Sequence, residues 1–149
     1  VEANATGVAG EQGGAYQAVD RAGTGDSIVG IVVGWEPAPA TLNDKYCRSG
    51  NVVYIADTST LILEGQTVSN GLAAADVGLN VDFVVTAAGS LTTGESGYEV
   101  NDATEAVTAT LDLKIIGLVD RPDNDITLAN MKVLVMTNKN WSTDQVLGV

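Results

Sequence analysis

The chain has 149 residues and a mass of 15.3 kDa, the size of one ordinary domain, and 45% of its residues are hydrophobic, enough to build a core without disulfides or a structural metal. It carries 19 acidic against 7 basic residues, a formal net charge of -12, no histidine and one cysteine. Those counts exclude Ser-His-Asp and Cys-His triads, imidazole-bound metals, zinc clusters and an internal disulfide, so no catalytic residue, metal or cofactor is assigned. The negative excess repels phosphate, which removes nucleic acid and anionic membrane surfaces as partners, and no apolar run approaches the roughly 20 residues that span a bilayer. The chain opens on Val1 rather than Met and without a basic and apolar leader pattern, as expected of a processed or trimmed product.

Residues 1–26 are rich in Gly and Ala, show no sustained period of 2 or 3.6, and read as an N-terminal arm that stays mobile or borrows structure from a partner or from the body. Residues 27–149 form the single domain. Residues 27–35 (SIVGIVVGW) are β-branched and almost wholly apolar, a strand covered on both faces or lying at an interface, and Glu36-Pro37-Ala38-Pro39 ends it. Residues 51–56 (NVVYIA) and 60–66 (TLILEGQ) read as two short strands of a hairpin turning at Asp57-Thr58-Ser59. Residues 72–78 (LAAADVG) are the one helical turn, kept short by Asn70-Gly71 before it and Gly78 at its end. In residues 80–85 (NVDFVV), Val81, Phe83 and Val85 alternate with Asn80 and Asp82, so one face meets a core.

Residues 89–97 form a turn-rich loop, after which Tyr98, Glu99 and Val100 make a brief strand ahead of the polar stretch 101–105. The longest predicted strand covers 107–119, with Leu111, Leu113 and Ile115 alternating with Asp112 and Lys114, and it should be central. Residues 120–124 (DRPDN) turn the chain. The last strand, 131–137 (MKVLVMT), sends Met131, Val133 and Val135 one way and Lys132, Leu134 and Met136 the other. Short strands, local connections and almost no helix predict an all-β domain, an antiparallel β-sandwich or barrel, with no repeat of solenoid or propeller period.

Chemistry-bearing patterns are few. Gly23-Thr24-Gly25 lacks the following helix and the Lys-Ser/Thr ending of a phosphate loop, and Asp120, Asp123 and Asp125 lack the Gly and terminal Glu of a calcium loop. The carboxylate pairs Glu95 with Glu99 and Asp102 with Glu105 have no aromatic platform beside them for a glycoside. Cys47 has Arg48 beside it but no histidine base, and reads as an inert thiol. The remaining candidates are interface anchors: Tyr16, Val19 and Arg21 in the arm, Trp35 at the end of the first strand, and Trp141 in the polar tail.

Taken together, residues 30–37 (GIVVGWEP), 51–57 (NVVYIAD), 73–80 (AAADVGLN), 110–121 (TLDLKIIGLVDR) and the acidic turn and strand running on to Asn138 resemble the capsid decoration, or cement, proteins of tailed bacteriophages. The likeness spans roughly residues 27–140 and is one of block order and texture. The chain departs from it in lacking a proline in the turn after Asp57. The resemblance implies a jelly-roll-like β-sandwich on the outer surface of the virion head. It would bridge subunits of the phage major capsid protein with no enzymatic activity, and the strand at 27–35, apolar on both faces, separately predicts a dimer or trimer. The alternative from composition alone is a secreted or surface β-sandwich module that binds carbohydrate or another ligand.

Overall fold

A computed structural model of the chain describes residues 2–3, 19–37, 39–86, 88–142 and 145–149. Nine strands run in chain order: β1 Glu2–Ala3, β2 Val19–Asp20, β3 Ile31–Trp35, β4 Val53–Ala56, β5 Ile62–Gln66, β6 Asn80–Val85, β7 Tyr98–Ala106, β8 Leu113–Leu118 and β9 Lys132–Thr137. The only helical pieces among the described residues are two three-residue 3-10 turns, Pro39–Thr41 and Ala74–Asp76. The chain is therefore nearly all-β, and every pairing between named strands is antiparallel.

Three sheets result. The body is a five-stranded sheet of order β5-β9-β8-β6-β7, with β8 in the centre as its alternation predicted; β3 pairs with β4, and β1 with β2, as separate two-stranded ribbons. The two edges of the body sheet meet: a parallel bridge joins Thr67, just past β5, to Val100 in β7, and Val68 donates its N–H to the Val100 carbonyl at 3.2 Å. Gly65 permits that meeting, because a Cβ there would lie 2.9 Å from Cγ2 of Val100. The sheet thus curls round its own apolar face.

That face carries Val81 and Phe83 of β6, Val100 of β7, Leu113 and Ile115 of β8, and Val133 and Val135 of β9, with Leu63 of β5 packed at the margin. Ala22, Ile28, Leu72 and Met131, from segments flanking the strands, fill the remainder. Fully burying one such aliphatic side chain contributes roughly 2 kcal/mol. The phase expected for 80–85 and 131–137 holds, except that Val85 at the end of β6 is exposed and Asn80 is buried. Phe83 and Tyr98 pack ring against ring at 5.2 Å, and the Tyr98 hydroxyl donates to the Ala22 carbonyl at 2.6 Å.

Several expectations are corrected by long-range pairing. The predicted hairpin of 51–56 with 60–66 does not form: β4 pairs with β3, Val32 opposite Ile55, and β5 pairs with β9, Leu63 opposite Val135. The turn closed by Leu61 N–H on the Thr58 carbonyl redirects the chain, and β5 gains a core-facing neighbour that β4 could not supply. The brief strand at Tyr98 extends to Ala106 through the polar stretch, because Asp102 turns inward to accept backbone N–H groups while a register shift absorbs the residues after it. Conversely, the predicted strand over 107–119 shortens to Leu113–Leu118, and Val107 is exposed. Asp112, read as outward-facing, is buried.

The boundary at residue 26 also shifts in meaning. Most of the proposed arm, Tyr16 included, lies outside the described residues, but Ala22 is a core residue and Thr24 Oγ1 donates to the Phe83 carbonyl at 2.9 Å. The last part of the stretch therefore borrows its structure from the body.

Candidate functional site

The proposed interface anchors do not converge. Val19 is half-buried in β2, opposite Ala3, and Arg21 is exposed beside Asp20. Trp35 is half-buried at the far end of β3. Trp141 is 56% exposed and donates its backbone N–H to Ile28, so it sits near the base of the segment that leads into β3. The eight residues from Ile28 to Trp35 place the two tryptophans at opposite ends of a stretch of roughly 20 Å.

What the structure does assemble is the β3–β4 ribbon. Its nine strand residues (IVVGW and VYIA) include no charged side chain, and none is fully buried. The strand expected to be covered on both faces or to lie at an interface is thus left half-covered by its own fold. Val33 is 68% exposed and falls at the register shift between Val32 and Gly34, the extra residue of a bulge. Gly30 lets the two strands close at their base: a Cβ there would sit 2.4 Å from the Ala56 carbonyl oxygen. Beyond the ribbon, the Tyr54 hydroxyl donates to Glu36 at 2.5 Å, Asp44 pairs with Arg48 at 2.5 Å, and the Arg48 guanidinium lies 5.1 Å from the centre of the Tyr46 ring. Asp44 accordingly holds the Arg48 pKa above its usual value.

Sequence reasoning missed the structural role of two carboxylates, Asp102, weighed only as a pair with Glu105, and Asp112, read as outward-facing. Asp102 accepts the N–H groups of Val68 and Ser69 at 3.2 Å each, and that of Asn70 as well, which fastens the loop after β5 to β7. Asp112 accepts the Gly25 N–H at 3.1 Å on both oxygens, while Lys139 Nζ donates to the Gly25 carbonyl, so the loop at 23–26 is clasped from both sides. Burial pushes the Asp112 carboxyl up to about 6 and the nearby Asp82 charge adds to the shift, against the lowering effect of the Gly25 N–H and of Lys139. The one available signal was an acidic residue in the middle of an otherwise apolar run, Leu111-Asp112-Leu113.

The other patterns resolve into structural roles. The Gly25 N–H points at a carboxylate, the wrong environment for a phosphate. Asp123 is engaged by Arg121 and Lys132, Asp125 accepts from Thr127, and among the described residues no group of three or more metal-ligating side chains comes together. Burial raises the Cys47 thiol pKa, away from reactivity at neutral pH. An open depression lined by Leu118, Asp120, Pro122, Asn124, Asp125 and Ile126 holds no pairing of nucleophile and base. Compared with family models, with curated proteins and with solved structures, the chain matches none.

Proposed function

We propose that the chain is a structural protein of a tailed-phage head, a decoration or cement protein that sits on the outer surface and ties neighbouring major capsid protein subunits together. The observation that carries this reading is the placement of the resembling blocks. Residues 30–37 and 51–57 supply β3 and β4, which pair with each other, residues 73–80 lead through the 3-10 turn into β6, and residues 110–121 supply β8 beside β9. The likeness therefore falls on the frame of the fold. In this reading the body is a jelly-roll-like β-sandwich, the part of the arm ahead of Ala22 orders on assembly, and the working form is a dimer or trimer.

Two physical features support it. A net charge of -12 suits a protein held outside a DNA-filled shell and away from the DNA itself. An uncharged apolar ribbon that forms its own two-stranded sheet offers contact area and no reaction, and a shell repeats each such contact many times, so that individually weak attachments sum. The test is co-sedimentation with purified DNA-filled heads of the phage that encodes the chain. The expected result is many copies per head, stripped by external protease; absence of the protein from purified heads overturns the reading.

A further inference from the structure

We propose that Asn80, Asn138, Lys114, Val107 and Gly78 form a peptide-binding site that reads main chain: the chain's own residues 145–149 fill it as a strap, and a short segment of another protein, with glycine in the place of Gly148, can take the strap's position. The inference goes beyond the head reading and does not depend on it. Two buried asparagines are the centre of the site. Asn138 Oδ1 accepts the Val146 N–H at 3.0 Å, and Asn80 Nδ2 donates to the Val146 carbonyl at 2.7 Å. The pair thus meets both backbone groups of one residue, as a neighbouring strand would. Both amides are held in place by the loop after β7, Asn80 donating to the Thr108 carbonyl and Asn138 to the Ala109 and Leu111 carbonyls. Further along, Lys114 Nζ donates to the Leu147 carbonyl at 3.1 Å, Gly148 donates its N–H to the Val107 carbonyl at 3.1 Å, and Val149 donates its own to the Gly78 carbonyl at 3.0 Å.

Side chains of the strap add little to this. Val146, Leu147 and Val149 are mostly exposed, so the site does not select among residues at those positions. Gly148 is the exception. It is buried, and a Cβ on it would lie 2.9 Å from both the Ala106 carbonyl oxygen and the Asn80 nitrogen, and 3.0 Å from Leu79 Cα. A segment attached through main-chain hydrogen bonds, with little apolar surface covered, opens at far lower cost than the strands beneath it, because water replaces those bonds. The fit is also incomplete: Asn80 Oδ1 is wholly buried and has no hydrogen-bond partner among the described residues, a loss that an occupant with a matching donor would recover. A detachable strap over a fixed main-chain site is the arrangement in which a partner's segment competes for the strap's place.

The test uses the full chain, its Gly148→Ala variant, and as probe the pentapeptide Gln-Val-Leu-Gly-Val carrying a dye at its N-terminus, with Gln-Val-Leu-Ala-Val as control, read by fluorescence anisotropy. In the variant the added methyl presses on the backbone of β6 and β7, and the strap, being held by less, is what gives way. The parent's own strap competes at an effective concentration on the order of millimolar, so the variant should bind the glycine peptide about tenfold or more tightly than the parent does, and neither protein should bind the alanine peptide. A variant that takes up neither peptide, or both alike, overturns the proposal, as does a parent that binds as tightly as the variant. Should the variant lose the far-UV circular dichroism of the parent, the parent alone decides. An excess of the glycine peptide should then speed amide exchange at Val146, Gly148 and Val149 while leaving β8 unchanged, and exchange that does not respond to the peptide overturns the proposal.

Discussion

The five-stranded body and the β3–β4 ribbon are made from the same residue types yet reach opposite ends of the burial scale. In the body, Val81, Ile115 and Val133 are wholly buried, because β8 has β6 on one side and β9 on the other and the curled sheet closes through Thr67 and Val100. In the ribbon, Val33 is mostly exposed. β-branched residues specify strand but not what covers it; coverage comes from the number of neighbouring strands and from closure. One region is consequently a scaffold and the other a surface.

The sharpest way to break this contrast is at the centre of the body. Ile115→Ala should cost about 3–4 kcal/mol in urea unfolding, through lost transfer energy and an unfilled cavity. A cost below about 1 kcal/mol would mean that the sheet is loosely packed and that the contrast is overstated.

Next in size is the buried carboxylate of β8's leading turn. The Asp112 pKa of about 6 lies above the ordinary aspartate value of 3.8, so the folded protein holds this proton more tightly than the unfolded chain does. Stability from this group is therefore present at low pH and is lost as pH rises from about 4 to about 6, by up to about 3 kcal/mol. Because many other carboxylates titrate in the same window, the readout is the stability difference between Asp112→Asn and the parent. That difference should move in favour of the Asn protein between pH 4 and pH 7; a pH-independent difference would show that Asp112 titrates normally.

Asp102→Ala should come third. It leaves the N–H groups of Val68, Ser69 and Asn70 without their acceptor, at a cost of about 2 kcal/mol. Amide exchange should speed up at those three positions and not in β8. Smallest is Val33→Ala, within about 0.5 kcal/mol for the dilute protein. A larger penalty that appears only at high concentration would tie the ribbon to self-association.

Much of the fold was legible. The positions of β6 and β9 and the inward phase of Val81, Phe83, Val133 and Val135 follow from alternation, and the turn at 120–124 follows from its Asp, Pro and Asn content. The centrality of β8 was readable from its apolar density. These are local properties: each depends on a residue and its near neighbours in sequence, which is why one sequence suffices to see them. Composition also determined the electrostatic character, since the charge of -12 and the uncharged strands at 31–35 and 53–56 need no structure to be counted.

Partner choice belonged to the tertiary structure alone. Nothing local distinguishes β4 pairing back to β3 from β4 pairing forward to β5, because both neighbours offer apolar residues at alternate positions; the decision lies in packing across strands and in which pairing lets Leu63 reach Val135. The burial of Asp102, Asp112 and Asn80 was hidden for the same reason. A polar side chain can enter a core only where distant groups meet its hydrogen-bonding needs, and the N–H groups at Gly25 and at 68–70 reach these carboxylates only once the chain has folded.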